Sequence, residues 1–206
     1  MPLCCLVYYR LMIDPTAITK FDRTHAELEE FLLNAITFAG KNARQQAKKM
    51  HALFSKEERP PFEQVRRWKK GGVLIKRLKE VRIGKYSLIA KSFIELSRSG
   101  INLAACSVEE LERFPGIGAK TARLFILHSR RGEEYAVIDT HILKEMRLLG
   151  MTTLRATPAG KKYAELEKKL IEHLKKVGVQ DFAEYDLSIW KKYALARSAS
   201  PVTLET

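Results

Sequence analysis

Three observations predict an all-α fold. Apolar residues recur three and four apart through most of the chain, the strict alternation of a half-buried strand is nearly absent, and helix-start and helix-stop signals alternate at short intervals. The chain has 206 residues, one to two domains at about 150 residues each. That length buries a core without disulfides. Roughly nine or ten helices are expected by this reading.

Thr24 followed by Glu27 reads as a capping box, and Leu28, Phe31, Leu32, Ala35 and Ile36 continue it as one apolar stripe. Gly40 breaks this helix, and a basic helix is expected over residues 42–54. Pro60 and Pro61 mark a break with a helix after it, and Gly71 and Gly72 mark another. Leu74, Ile75 and Leu78 form a short apolar face ended by Gly84; Tyr86, Ile89, Phe93 and Leu96 form the next, closed by Gly100. Ser107 with Glu110 is a second capping box. A tight hairpin follows at residues 115–118, then a helix over residues 120–129 with Ala122, Phe125 and Ile126 inward. Residues 135–138 are too few for a confident strand, and Asp139 heads a helix to residue 149. Thr157 and Pro158 look like a cap and first turn for a long helix through Lys176, with Tyr163, Leu166, Leu170, Leu174 and Val177 buried. A last helix starts near Asp181 and carries Tyr185, Ile189 and Tyr193; residues 198–206 read as a frayed polar tail.

Composition excludes several classes. Hydrophobic residues are 46% and charged residues 30%, which is neither disordered nor fibrous. No run reaches the roughly 18 apolar residues of a membrane span. Residues 3–7 are apolar but short and lack the frame of a secretory signal. Cys4, Cys5 and Cys106 match no disulfide framework or zinc spacing, so a reducing interior is the default compartment. With 37 Lys+Arg against 24 Asp+Glu the formal net charge is +13, which draws the chain to polyanions: nucleic acid first, a ribosomal or membrane surface as the alternatives.

The sharpest segment is LERFPGIGAKTA at residues 111–122. Two helices flank a turn in which Gly116 and Gly118 permit positive φ and close approach. The second helix then presents free N–H groups where a phosphate can sit, a contact that positions nucleic acid without reading sequence. A plain helical hairpin is the alternative. Downstream stands VIDTH at residues 137–141, which places Asp139 19 residues after Lys120.

Together these segments resemble the helix-hairpin-helix DNA glycosylase (HhH-GPD) superfamily, in whose bifunctional members a lysine ends the hairpin motif and an aspartate heads a later helix. The resemblance covers about 170 residues, up to Trp190. Residues 32–50, with FAGKN at 38–42, resemble the segment whose loop fills the gap left by an extruded base. Residues 78–96 resemble the helix before the hairpin. The pattern of residues 163–178, then EYDLSIW at 184–190, is similar to the small archaeal-type 8-oxoguanine DNA glycosylase/lyase family. Two features differ from relatives. The chain has no cysteine after Cys106, so the iron–sulfur loop of the endonuclease III branch cannot form. It also runs past Trp190 to Thr206, whereas the archaeal-type chains stop soon after this helix and use their terminus to recognise the base.

The resemblance implies a two-lobed helical domain without an iron–sulfur cluster, one lobe from roughly residues 1–50 plus 151–206 and the other, with the hairpin, from 51–150. It implies a bifunctional glycosylase and abasic-site lyase for an oxidised purine, 8-oxoguanine. The alternatives are an oxidised pyrimidine or other damaged base, or a DNA-binding module without catalysis. Lys120 would be the amine attacking the sugar, with a phosphate contact as its alternative role; Asp139 would be the carboxylate stabilising the charged transition state, and also suits a helix N-cap. Gly116, Gly118, Lys41, Asn42 and His141 would contact DNA, although Lys41 and Asn42 could be an exposed loop and His141 a surface residue. Trp190, Asp186 and, more weakly, Tyr86 would receive the extruded base by stacking and hydrogen bonding, with core packing the alternative for Trp190. Backbone carbonyls of Glu112, Phe114 and Ile117 could hold a monovalent cation. Residues 66–70, RRWKK, read as a solvated or phosphate-facing surface. No organic or metal cofactor is expected for the chemistry. The expected partner is duplex DNA with a damaged base or abasic site, bound by a monomer in the cytoplasm at the nucleoid, or in a eukaryotic nucleus, with no membrane.

Overall fold

The computed structural model describes residues 12–196, with side chains to residue 194; the apolar residues 3–7, Cys4, Cys5 and the tail at 198–206 lie outside them. Ten helices and no strand occur among the described residues: α1 (His25–Phe38), α2 (Ala43–Phe54), α3 (Pro61–Lys70), α4 (Leu74–Glu80), α5 (Tyr86–Ser99), α6 (Val108–Glu112), α7 (Ala119–Ser129), α8 (Thr140–Leu148), α9 (Gly160–Lys176) and α10 (Phe182–Ala196). Both capping boxes form: Thr24 with Glu27 opens α1, and Ser107 with Glu110 opens α6.

α1 is the central helix. Every residue from Leu28 to Phe38 is buried, so the expected one-sided stripe is a helix covered on both faces. It packs against α2, α3, α5 and α7. Phe31 meets Phe125 of α7 at 5.7 Å between ring centroids; a fully buried phenylalanine contributes about 1.5–3 kcal/mol. The polar residues of this buried helix are accommodated locally. Asn34 and Thr37 donate to the carbonyls of Glu30 and Asn34. Glu29 accepts from the backbone N–H of Phe62 at 2.8 Å and so caps α3, whose own N-cap is Pro60 with no side-chain bond.

Several sequence expectations need correction. Leu74 and Leu78 are buried, but Ile75 is exposed, because on a helix i and i+4 share a face that i+1 leaves. Val177 is likewise exposed, standing at the C-cap of α9 rather than on its stripe. The long helix does not start at Thr157 and Pro158. Its N-cap is Ala159, with no side-chain bond. Proline biases its predecessor toward extended backbone, and Gly160 at φ +55 interrupts the helical path. Within the basic run, Trp68 is buried and tilts against Phe54 at 5.1 Å, while its four basic neighbours are exposed.

Two turns on one side of α1 are tied together. The turn from α4 to α5 holds three left-handed residues, Arg82 (φ +54), Gly84 (φ +74) and Lys85 (φ +49). Lys41, from the turn after α1, donates its ammonium to the Ile83 carbonyl. Lys49 donates to the Arg82 carbonyl at 2.8 Å, and Lys85 reaches back to the Ala39 carbonyl at 3.4 Å. Gly84 is favoured by its φ, and a Cβ there would sit 2.5 Å from the Lys41 Nζ, so a side chain would move that ammonium off the Ile83 carbonyl.

Candidate active site

A cleft of about 1170 Å³ opens between the turn after α1, the hairpin, the head of α8, the segment before α9 and one side of α10. Ile18, Phe38, Leu124, Val137 and Leu187 supply apolar wall; Lys120, Asp139, His141, Asp186 and Trp190 bring charged, polar and aromatic side chains to it.

The hairpin joins α6 to α7. Gly116 takes φ +82, as its turn requires. Gly118 does not: it is extended, at φ −105 and ψ 180. Nothing lies within 4 Å of where a Cβ would stand, so neither backbone conformation nor packing within the chain calls for glycine at this position. Gly118 is the N-cap of α7 and supplies no side-chain cap, which leaves the first N–H groups of the helix open toward the cleft. Lys120 is the second residue of α7.

Asp139 is the N-cap of α8, and its two oxygens are divided. Oδ1 accepts from the backbone N–H of His141 at 2.8 Å and of Ile142 at 2.9 Å. Oδ2 is left to face Lys120, whose Nζ stands 3.8 Å away. The cap and the carboxylate facing the amine are therefore one residue in one conformation.

The backbone leading into Asp139 is held from below. The buried Tyr163 hydroxyl accepts from the N–H of Ile138 at 2.9 Å and donates to the carbonyl of Ala136 at 3.0 Å. Burial pushes this phenol well above its ordinary range, so it stays a neutral donor and acceptor. Arg123, three residues after Lys120, ties α7 to α9 and α6. Its Nε donates to both oxygens of Glu167 at 2.6 and 2.7 Å, and Nη1 donates to Glu112 at 2.8 Å. Glu167 also accepts from the Ala136 N–H at 3.2 Å.

α10 supplies the far wall. Trp190 is half-buried and lines the cleft. Asp186 is 9% exposed; burial pushes its carboxyl up, against the favourable contact with His128. His141 stacks on Tyr193 of α10, 5.8 Å between centroids and 8° from parallel. The Tyr193 hydroxyl donates to Glu145 at 2.6 Å, and Lys192 donates to the same carboxylate at 2.9 Å.

No family model matches the chain, and no curated protein does. Among solved structures, the 8-oxoguanine DNA glycosylase of Thermotoga maritima superposes with a TM-score of 0.67 at 21% identity, over 87% of this chain and 86% of that one. The 8-oxoguanine DNA glycosylase of Methanocaldococcus jannaschii gives 0.60 at 18% identity, over 93% and 87%. The chain has the 8-oxoguanine DNA glycosylase fold.

Within this glycosylase fold, Lys120, Asp139, Gly116, Gly118, His141, Asp186 and Trp190 line one cleft. Tyr86 does not line it. Lys41 and Asn42 also line it, with their side chains engaged: Lys41 on Ile83 and Asn42 as N-cap of α2, accepting from Gln45 at 3.0 Å. Burial, then the charges of Lys85 and Lys49, lower the Lys41 pKa. Around the hairpin, the Phe114 carbonyl accepts from the Ile117 N–H at 3.1 Å and keeps a second lone pair; a cation there would share it with the carbonyls of Glu112 and Ile117. The Glu112 side chain is paired with Arg123. Sequence reasoning missed His128 and Arg123, and it placed Tyr163 in the core without a role for its hydroxyl. His128 and Tyr163 are polar-tipped residues on otherwise apolar helix faces, which was the available signal; Arg123 gave none.

Proposed function

We propose that this chain is a bifunctional DNA glycosylase and abasic-site lyase that excises 8-oxoguanine from duplex DNA. The observation that carries the proposal is the Lys120 amine 3.8 Å from the free oxygen of Asp139, inside a cleft of nucleotide size. A surface ion pair of that length does little for stability. An amine beside a carboxylate in a cleft is instead the pairing that glycosidic cleavage needs.

The chemistry follows from the atoms. Duplex DNA docks its phosphates on the open N–H groups of α7 and on surrounding lysines. The damaged nucleotide leaves the stack, at a cost of a few kcal/mol, and its base lies against Trp190 with an N–H toward Asp186. The attacking amine must be uncharged, so the ammonium gives its proton to solvent before attack, and Asp139 stays ionised with Oδ2 facing the sugar. The Nζ lone pair forms a bond to the anomeric carbon, and the electrons of the glycosidic bond leave with the base. Positive charge develops on the sugar, which Oδ2 offsets. The sugar ring opens to a Schiff base with Lys120. Loss of a C2′ proton then expels the 3′ phosphate and nicks the strand. No step uses a metal.

Borohydride tests this directly. Wild-type protein on a duplex with one 8-oxoguanine should trap as a covalent adduct, and Lys120→Gln should trap none. Equal trapping by the variant refutes the assignment of the amine. A chain that binds the duplex, never traps and releases no base is a binding module. A panel of single lesions then ranks oxidised purines against oxidised pyrimidines.

A further inference from the structure

Asp186 is held by a group that the reaction does not use. His128, eight residues after Lys120 on α7, is fully buried. Its Nε2 lies 3.0 Å from Asp186 Oδ2, and its Nδ1 lies 2.8 Å from Thr19 Oγ1. Its own carbonyl accepts from the Lys20 N–H at 3.1 Å and from Arg23 at 2.8 Å, so the ring is fixed from both ends. Asp186 lines the cleft; Oδ2 is taken, and Oδ1 has no hydrogen-bond partner among the described residues.

This geometry permits three proton arrangements. A neutral ring can donate from Nε2 to the carboxylate and accept the Thr19 hydroxyl at Nδ1. A charged ring can donate at both nitrogens. A neutral ring of the other tautomer can donate to Thr19 and accept a proton carried by Oδ2. In all three, the shared proton lies on the line between Nε2 and Oδ2, and Oδ1 is left as an acceptor. Burial favours a protonated carboxyl here; without the imidazole, that proton could sit on either oxygen.

We propose that His128, backed by Thr19, is a positioning residue that makes the cleft-facing oxygen of Asp186 a permanent hydrogen-bond acceptor, so that the site selects bases presenting an N–H there and rejects bases presenting a lone pair. This rests on the base-reading role given to Asp186 above. A buried polar group left facing the wrong partner is the strongest form of discrimination available to such a pocket.

The test uses the full chain with Thr19→Val, which removes one hydrogen bond outside the cleft, and His128→Gln. Each is assayed on a duplex with 8-oxoguanine and on a duplex with an abasic site, which has no base to read. Expected is a fall in kcat/KM for excision of roughly two- to tenfold for Thr19→Val, larger for His128→Gln, with abasic nicking held within about twofold. The Thr19→Val effect should vanish when Asp186 is already Asn. Equal losses on both duplexes, no loss on either, or full additivity with Asp186→Asn overturns the proposal. Ring nitrogens decide the pinning without substrate: Asp186→Asn should shift the His128 Nε2 resonance, and an unmoved resonance overturns it. A wild-type chain that cuts neither duplex would defeat the glycosylase proposal instead, and the nitrogen spectra would still decide this one.

Discussion

Replacing Asp139 separates its two duties, because each oxygen has one. Asp139→Ala removes the acceptor for the N–H groups of His141 and Ile142, and Ile142 is buried at 3% exposure. Losing an N-cap costs about 0.5–2 kcal/mol. The upper half is expected here, because two donors share the oxygen and one belongs to a buried residue. At about 2–4 °C per kcal/mol for a chain of this size, the melting midpoint should fall by roughly 3–8 °C. Asp139→Asn keeps a side-chain oxygen in the Oδ1 position, and asparagine caps about as well as aspartate; it gives up the charge at the helix start, worth about 0.3–1 kcal/mol. The asparagine variant should therefore melt well above the alanine variant. Both should lose turnover by a hundredfold or more, the order expected for removing one stabilising group from a charged transition state. Thermal melts and single-turnover excision on the same preparations decide it. Asparagine melting with alanine, or retaining turnover, would refute the division. Parallel loss of DNA affinity would show the cap alone to be at work.

Two other substitutions test the supports. Tyr163→Phe removes both bonds of the hydroxyl beneath the Asp139 segment; because the Ile138 N–H also reaches the Ala136 carbonyl at 3.0 Å, a loss of about 1–2 kcal/mol is expected in urea unfolding, and a loss near zero would remove this staple from the argument. Tyr193→Phe tests the contact between α8 and α10 through pH. Burial opposes ionisation of Glu145, but the bonds from Tyr193 and Lys192 prevail and hold its carboxyl below the ordinary 4.5. Such a lowered carboxyl stabilises the fold fully above 4.5 and loses that contribution as pH falls through its folded value. The variant should be less stable than wild type by about 0.5–1.5 kcal/mol at pH 7, with the gap narrowing toward pH 3; a constant gap across that range would contradict it.

The chain was legible where the physics is local. Thr24 with Glu27, Ser107 with Glu110 and Asp139 before its helix are caps written within four residues, and all three form. The Lys120 and Asp139 side chains were expected at one cleft from the resemblance that the hairpin and the later VIDTH segment carry, and both line it. Legibility failed where a residue's role depends on distant chain. Tyr86 is aromatic and near the hairpin in the family pattern, but its place in α5 leaves it off the cleft. His128 and Thr19 are 109 residues apart, and nothing near either announces the other. Lys41 was expected to reach DNA because its loop resembles the one that fills the gap left by an extruded base; its ammonium lies on the Ile83 carbonyl, offered by a left-handed turn 42 residues away. Gly160 and Ala159 displaced a helix start that Thr157 and Pro158 had seemed to fix.

The cross-tied turns at residues 39–42 and 82–85 bear on how force travels. Because lysines from each side grasp carbonyls of the other, a load on either turn is shared by both and handed to α1, α2 and α5 behind them. If the proposed function holds, a duplex docked at the cleft would press on a braced pair of turns rather than on a loop free to give way.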